Sequence, residues 1–165
     1  MTNIDAIISA YGAAWLDVDV SDRRRLLEKS WSKDGVYQDP TADVSGREAL
    51  AQHIAAFHQG SPGFKIIITS GADHHHGKFH ILWKMVDPDG KTVLEGRDFG
   101  ELDADGRICR IAGFFGPPPP FQPPPDRTRH EINEVAHRNR DEVCGDGARN
   151  ATGKSVVLAI GPGVD

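Results

Sequence analysis

The hydrophobic repeat of this chain changes period once, near residue 63, and that change restricts the fold more than any other feature. Upstream, Ile4, Ile7, Ile8, Tyr11, Ala14 and Trp15 recur at helical spacing. This predicts an amphipathic helix over about residues 4 to 17 with Tyr11 in the middle of its buried stripe. A second helix is expected over 22 to 31, with Ser21 as N-cap and Leu26, Leu27 and Trp31 buried on one side. Lys33, Asp34 and Gly35 then read as a turn. Residues 36 to 40 form a short extended segment, because the residue before Pro40, which is Asp39, is pushed out of the helical region. A third helix is expected after Ser45, which stands three residues before Glu48 as in a capping box, with Leu50, Ile54 and Phe57 as its buried stripe.

Downstream the period is two. Strands are expected over 64 to 70, 78 to 86, 92 to 102 and 107 to 116. The Asp-Pro-Asp-Gly-Lys run at 87 to 91 and the Asp-Ala-Asp-Gly-Arg run at 103 to 107 have the residues that close antiparallel hairpins. Helices followed by a meander give an α+β architecture, helices packed on an antiparallel sheet, rather than alternating parallel units. A chain of 165 residues has room for one such domain with a small pocket. The prolines at 117 to 120 and 123 to 125 cannot continue a sheet. The domain is therefore expected to span residues 1 to 117, with 118 to 165 as a flexible proline-rich tail. Within the tail, 126 to 143 read as a solvated helix or as disorder, and 156 to 160 as a strand or a loose end.

Asp98 breaks the strand pattern. It shares a face with Leu94, Gly96, Gly100 and Leu102, while Glu95, Arg97 and Glu101 fall on the other. A carboxyl on an apolar face finds a hydrogen bond, shifts its pKa or serves a site. Tyr11 and Asp39 join it as candidates, because a helix across a curved sheet can gather a phenol and two carboxyls around one concavity. Such a set can remove a proton and stabilise the oxyanion that results. Each also has a structural reading: a core tyrosine, a turn-stabilising aspartate, and a carboxyl accepting a structural hydrogen bond.

Other classes are disfavoured. A net charge of −5 and a pI near 5.9, with Arg23, Arg24 and Arg25 as the single basic cluster, leave no footprint for nucleic acid. No apolar run approaches the roughly 18 residues needed to cross a bilayer, and no basic-then-apolar leader opens the chain, so no membrane partner and no export are expected. Cys109 and Cys144 form no spaced pair, which reads as reduced thiols and a cytoplasmic location. His74, His75 and His76 point in different directions, and His80 alternates away from Phe79, Ile81, Trp83 and Met85. No metal site is expected there, but a polar turn with one histidine near a pocket mouth. Residues 148 to 155 match the permissive phosphate-loop pattern without the strand and helix it requires, and the Asn150 to Thr152 glycosylation pattern carries no weight without a leader.

The helix pair, the Asp-Gly-Val-Tyr-Gln-Asp-Pro run at 34 to 40, the helix entered through Gly46-Arg-Glu-Ala-Leu50, and a meander ending in Asp105-Gly-Arg-Ile108 and Gly113-Phe-Phe115 together resemble the nuclear transport factor 2-like superfamily. The SnoaL-like branch is the nearest, and the resemblance covers about residues 4 to 117. It implies a cone of curved antiparallel sheet closed by helices around an apolar pocket, and a homodimer through the outer sheet face. The ketosteroid isomerases of the superfamily imply a general base at Asp39, a protonated acid at Asp98 and an oxyanion tyrosine at Tyr11, although the stretch between Tyr11 and Asp39 is about four residues longer here. Gly100 stands where those enzymes carry a bulky aromatic, which implies a wider pocket beside Asp98, shaped for something other than a steroid. On the last strand Cys109, Ile111, Gly113 and Phe115 are expected to point inward and Arg110 to water.

The expected ligand-binding residues are Trp15, Phe57, Trp83, Gly100, Ile111 and Phe115. The expected function is a cofactor-independent enzyme acting on a small apolar carbonyl compound, an isomerase or polyketide cyclase-like catalyst. In it Asp39 removes the proton, and Tyr11 and neutral Asp98 stabilise the enolate. Two rivals stand beside it: a non-catalytic small-ligand-binding or dimeric interaction module, and a dehydratase pairing an aspartate with a histidine of the 74 to 80 turn.

Overall fold

The structure, a computed structural model, describes residues 4–124. Internal contacts divide the chain into two units, residues 1–119 and 120–165, and every element below belongs to the first. The expectations for 126 to 143, 148 to 155 and 156 to 160, and for Cys144, lie outside the described residues.

Helix α1 (Ile4–Ala14) buries Ile7, Ile8, Tyr11 and Ala14, the stripe its spacing predicts. Its end is fixed from a distance, because buried Arg23 donates to the carbonyls of Ala14 and Leu16, both at 3.2 Å. Helix α2 (Val20–Ser30) starts earlier than expected. Its N-cap is Asp19, not Ser21: the Asp19 carboxylate accepts from the Asp22 amide and from the Ser21 hydroxyl, both at 2.9 Å.

Strand β1 (Trp31–Asp39) runs through residues 33 to 35, which do not turn. The register slips between Trp31 and Val36, so the turn-like residues form a bulge within the strand. Gly35 fits there because the Trp31 indole occupies the place of a side chain, with Nε1 2.5 Å from where a Cβ would stand. Strand β2 (Ala42–Ser45), unforeseen, folds back antiparallel on β1.

The expected capping box before α3 (Arg47–Gly60) is absent. Ser45 pairs with Val36 in the ladder, Gly46 takes the N-cap position at φ 93°, and the Glu48 carboxylate binds Arg24 at 3.0 and 2.6 Å instead. Leu50 and Ile54 are fully buried as expected.

Strands β3 (Lys65–Ile68), β4 (Asp73–His75), β5 (Lys78–Val86), β6 (Thr92–Leu102) and β7 (Ile108–Phe115) complete the sheet. Its order is β2-β1-β7-β6-β5-β3, with β4 also on β5. All pairs are antiparallel except β1 with β7, which is parallel. The two hairpin turns are held as their sequences predict: Asp87 Oδ1 accepts from the amides of Asp89 (3.1 Å) and Lys91 (2.9 Å), and Asp103 Oδ1 from those of Asp105 and Arg107 (both 2.9 Å).

The helices cover one face of this curved sheet, and together they form a cone with Leu27, Trp31, Leu50, Ile54, Ile81, Ile108 and Ile111 as its solid core. A further register shift, between Glu101 and Leu102, alters the parity at the start of β7. Ile108 therefore takes the inward place expected for Cys109, which is half-buried with its thiol 3.4 Å from the Glu101 carbonyl. Among the described residues, no helix is long and apolar enough to cross a membrane.

Candidate active site

Between α1, α3 and the inner face of the sheet lies a cavity of about 310 Å³. Trp15, Phe57, Ile66, Ile68, Trp83, Met85, Leu94 and Phe115 give it apolar walls, and Tyr11, Tyr37, Asp39, Thr41, His53 and Asp98 supply the polar groups.

Asp98 is 5% exposed and sits on β6 opposite Gly113 of β7. Its Oδ1 accepts from the Trp83 indole Nε1–H at 2.8 Å. That bond depends on a glycine: Trp83 faces Gly96 across the β5–β6 ladder, so the indole lies over β6 and its N–H reaches the residue two places on. Burial pushes the Asp98 carboxyl up to about 6; the Trp83 hydrogen bond opposes the rise and the Asp39 charge adds to it.

Asp39 closes β1. Its Oδ2 accepts from the Tyr37 hydroxyl at 2.7 Å, and its Oδ1 from the Thr41 amide at 2.6 Å and the Thr41 hydroxyl at 2.8 Å. Three donors thus orient this carboxylate at the cavity wall, where Pro40 keeps the backbone extended.

Strand β7 lies between β1 and β6, which puts the carboxyl-bearing strands roughly 10 Å apart. Gly113 is the residue between them. A Cβ at that position would stand 3.1 Å from Asp98 Oδ1 and 3.3 Å from Asp39 Cβ, so the missing side chain is what opens the space that the two carboxyls share.

Tyr11 is 2% exposed, stacked on Trp31 with centroids 5.8 Å apart and edge-on to Trp15 at 6.4 Å. Burial first, and then the nearby Asp98 and Asp39 charges, hold its phenol well above the usual range, with Trp15 opposing. Burial raises Tyr37 likewise. Both phenols are therefore neutral donors at any ordinary pH.

The three residues expected to meet, Tyr11, Asp39 and Asp98, border the same cavity, as do Trp15, Phe57, Trp83 and Phe115. Gly100 and Ile111 do not. Ile111 is fully buried in the solid core, and the ring of Phe79 lies where a Gly100 side chain would be. The space expected beside Asp98 is thus filled by Phe79 from β5, and the cavity is not widened there.

The 74 to 80 turn contributes nothing to the lining. His74 Nδ1 lies 3.3 Å from the Ala72 carbonyl, His76 faces His75, and His80 stacks on Phe99 at 4.7 Å on the outer face. A dehydratase pairing through that turn therefore lacks its imidazole. The histidine at the cavity is His53 of α3, tilted against Tyr37 at 5.6 Å and edge-on to Trp15 at 6.0 Å. Of the polar residues that were missed, Tyr37 and His53 carried a signal: Tyr37 stands two places before Asp39 on the same strand face, and His53 lies between Leu50 and Phe57 at helical spacing. Among the described residues, no group of three or more His, Cys, Asp or Glu is arranged to hold a metal ion.

No family model matches the chain, and no curated protein is significantly similar to it. Solved structures are. A SnoaL-like family protein from Agrobacterium tumefaciens str. C58, named as a presumed isomerase, is 32% identical with a TM-score of 0.63, and the match covers 67% of this chain and 95% of that one. Presumed polyketide cyclases share the fold at lower identity. The one from Sinorhizobium meliloti is 18% identical (TM-score 0.52, 65% of this chain and 92% of that one). The one from Jannaschia sp. CCS1 is 14% identical (TM-score 0.51, 70% and 89%). At 32% identity over a match that covers 95% of the first of these, the chain belongs to the SnoaL-like family.

Proposed function

We propose that this chain is a cofactor-independent acid–base enzyme that removes a proton beside the carbonyl of a small apolar compound and stabilises the enolate. The observation that carries this reading is the pair of unlike carboxyls on either side of Gly113: Asp39 held by three donors, Asp98 buried and pushed up to about 6. Two carboxyls in unlike surroundings can divide between them the base and the acid of one reaction.

Asp39 takes the proton from the α-carbon, and the electron pair of the broken C–H bond moves to the carbonyl oxygen through the enolate. Trp83 occupies Asp98 Oδ1, which leaves Oδ2 to carry the proton and present it to the oxyanion, with the neutral Tyr11 phenol as the second donor. Return of the proton to a different carbon gives isomerisation. Attack of the enolate carbon on a second carbonyl gives cyclisation. The names of the presumed isomerase and cyclases above fall on these two outcomes. The same reading takes the outer face of the sheet as the seat of a second copy of the chain.

The test is deuterium exchange at the α-carbon of a panel of cyclic ketones in heavy water, followed by NMR. Asp39→Asn is expected to lower exchange by about 10²- to 10⁴-fold with an unchanged unfolding midpoint. Full activity in that variant would overturn the mechanism. Ketone binding without exchange in the parent protein would leave a ligand-binding module in place of an enzyme.

A further inference from the structure

A second hollow, of about 440 Å³, lies between α1 and β3 on the far side of the cavity wall. The two spaces share three residues, Gly12, Ile66 and Ile68. Among the described residues, strand β3 ends the sheet order and pairs with β5 alone, so no described strand braces its other edge. Across the seam, Gly12 offers no side chain, and Ile68 fills the vacant place, with its Cδ1 2.7 Å from where a Cβ on residue 12 would stand. The partition at this point is therefore one isoleucine side chain against bare helix backbone. Beyond it, Ile8, Ala13, Leu16 and Ile67 line the outer hollow, with Asp5, Ser9 and Ser70 as polar members.

The inner cavity, at about 310 Å³, stands at the low end of the roughly 300–1,000 Å³ of small-molecule sites. We infer that Ile68 gates a tail subsite: the ligand is an elongated carbonyl compound whose unbranched apolar tail passes between Gly12 and Ile68 into the outer hollow. The orientation, carbonyl end toward Asp39 and Asp98, rests on the function proposed above. A change of Ile68 to another staggered side-chain rotamer opens the seam, and no backbone hydrogen bond of β3 need break for it.

Binding of straight-chain methyl ketones of 5 to 13 carbons (an experimental range of about nine members), read by the fluorescence of Trp15 and Trp83 in the cavity wall, tests this. Affinity in the parent protein is expected to rise by about fourfold per methylene, the equivalent of about 0.8 kcal/mol, across the series. In Ile68→Trp, which also narrows the inner cavity that Ile68 helps to wall, every member binds more weakly and the rise stops at the shorter members. Ala13→Trp, which fills the outer hollow from the helix without touching the inner cavity, is expected to truncate the series in the same way and serves if Ile68→Trp does not fold. An identical length dependence in the parent and in both variants overturns the subsite, and so does a failure of every ketone to bind. Alkanes that bind as tightly as ketones of equal length, with the same truncation, would remove the carbonyl anchor and leave the tail subsite standing.

Discussion

Asp98 is a carboxyl whose surroundings favour its proton, and this has a definite sign for stability. In the unfolded chain it titrates near the ordinary aspartate value of about 4, and in the folded protein near 6. Between those values the folded state holds more of the proton than the unfolded state does. The stabilisation is therefore complete below about pH 4 and is lost as the pH rises through about 6, by an amount on the order of 2–3 kcal/mol. Asp98→Asn keeps an oxygen for the Trp83 N–H and cannot ionise. It is expected to be the more stable protein at pH 7, by the same order, and urea denaturation at pH 4, 5, 6 and 7 should show its advantage over the parent growing as the pH rises. Catalysis follows the same proton. For the ketone exchange, kcat/KM should fall above about pH 6, while the fall in kcat moves to higher pH because a bound apolar ligand removes more water from Asp98. A profile level from pH 5 to 8 would exclude a neutral acid. Strand parity alone made this residue legible in the sequence. Tyr37 and His53 stood on equally regular faces but were not assigned, because an aromatic ring on a buried stripe looks the same whether it fills a core or lines a cavity.

At the level of elements, β5 and β6 were readable from end to end because their nine and eleven residues of alternation are joined and followed by aspartate-rich turns. Strands β2 and β4, of four and three residues, are too short to show a period. The bulge in β1 was hidden for a different reason: Lys33, Asp34 and Gly35 have turn chemistry, and the burial of Trp31 and Tyr37 on either side overrides it. What unites β5 with β6 is a match of large rings to glycines, Phe79 over Gly100 and Trp83 over Gly96. A methyl group at residue 100 would overlap the Phe79 ring. Gly100→Ala is thus expected to lower stability by about 1–3 kcal/mol, with Phe79→Leu recovering part of the loss in the double variant, a coupling that a denaturation cycle measures directly. Gly113→Ala acts on the site instead. Its methyl group enters between Asp98 and Asp39, and turnover should fall by about 10- to 100-fold, a larger effect than any change in the unfolding midpoint predicts.

For the folded unit as a whole, the change of hydrophobic period gave the α+β order and the antiparallel meander, whereas the parallel pairing of β1 with β7 had no local sign because it joins segments some seventy residues apart, such as Tyr37 with Ile111. The alternation that sends Asp98 inward also fixes what the sheet shows to the outside. Leu82, Val93, Phe99 and Phe114 are 43–49% exposed, unusually open for side chains of that size. His80 stacks on Phe99, and Phe99 meets Phe114 edge-on at 6.0 Å, so these three rings form one contiguous patch. A twofold pairing of this face with its copy would bury such a patch against itself, and a stable interface of that kind covers about 800 Å² on each partner. The protein is therefore expected to sediment as a dimer at micromolar concentration. Phe99→Lys, which sets like charges against each other across the axis, should weaken dimerisation by about 100-fold. Because Phe99 points away from the cavity, the same variant should bind the methyl ketones as the parent does. Sedimentation velocity across a dilution series decides the matter: a parent protein that is monomeric throughout the micromolar range removes the second copy from the outer face.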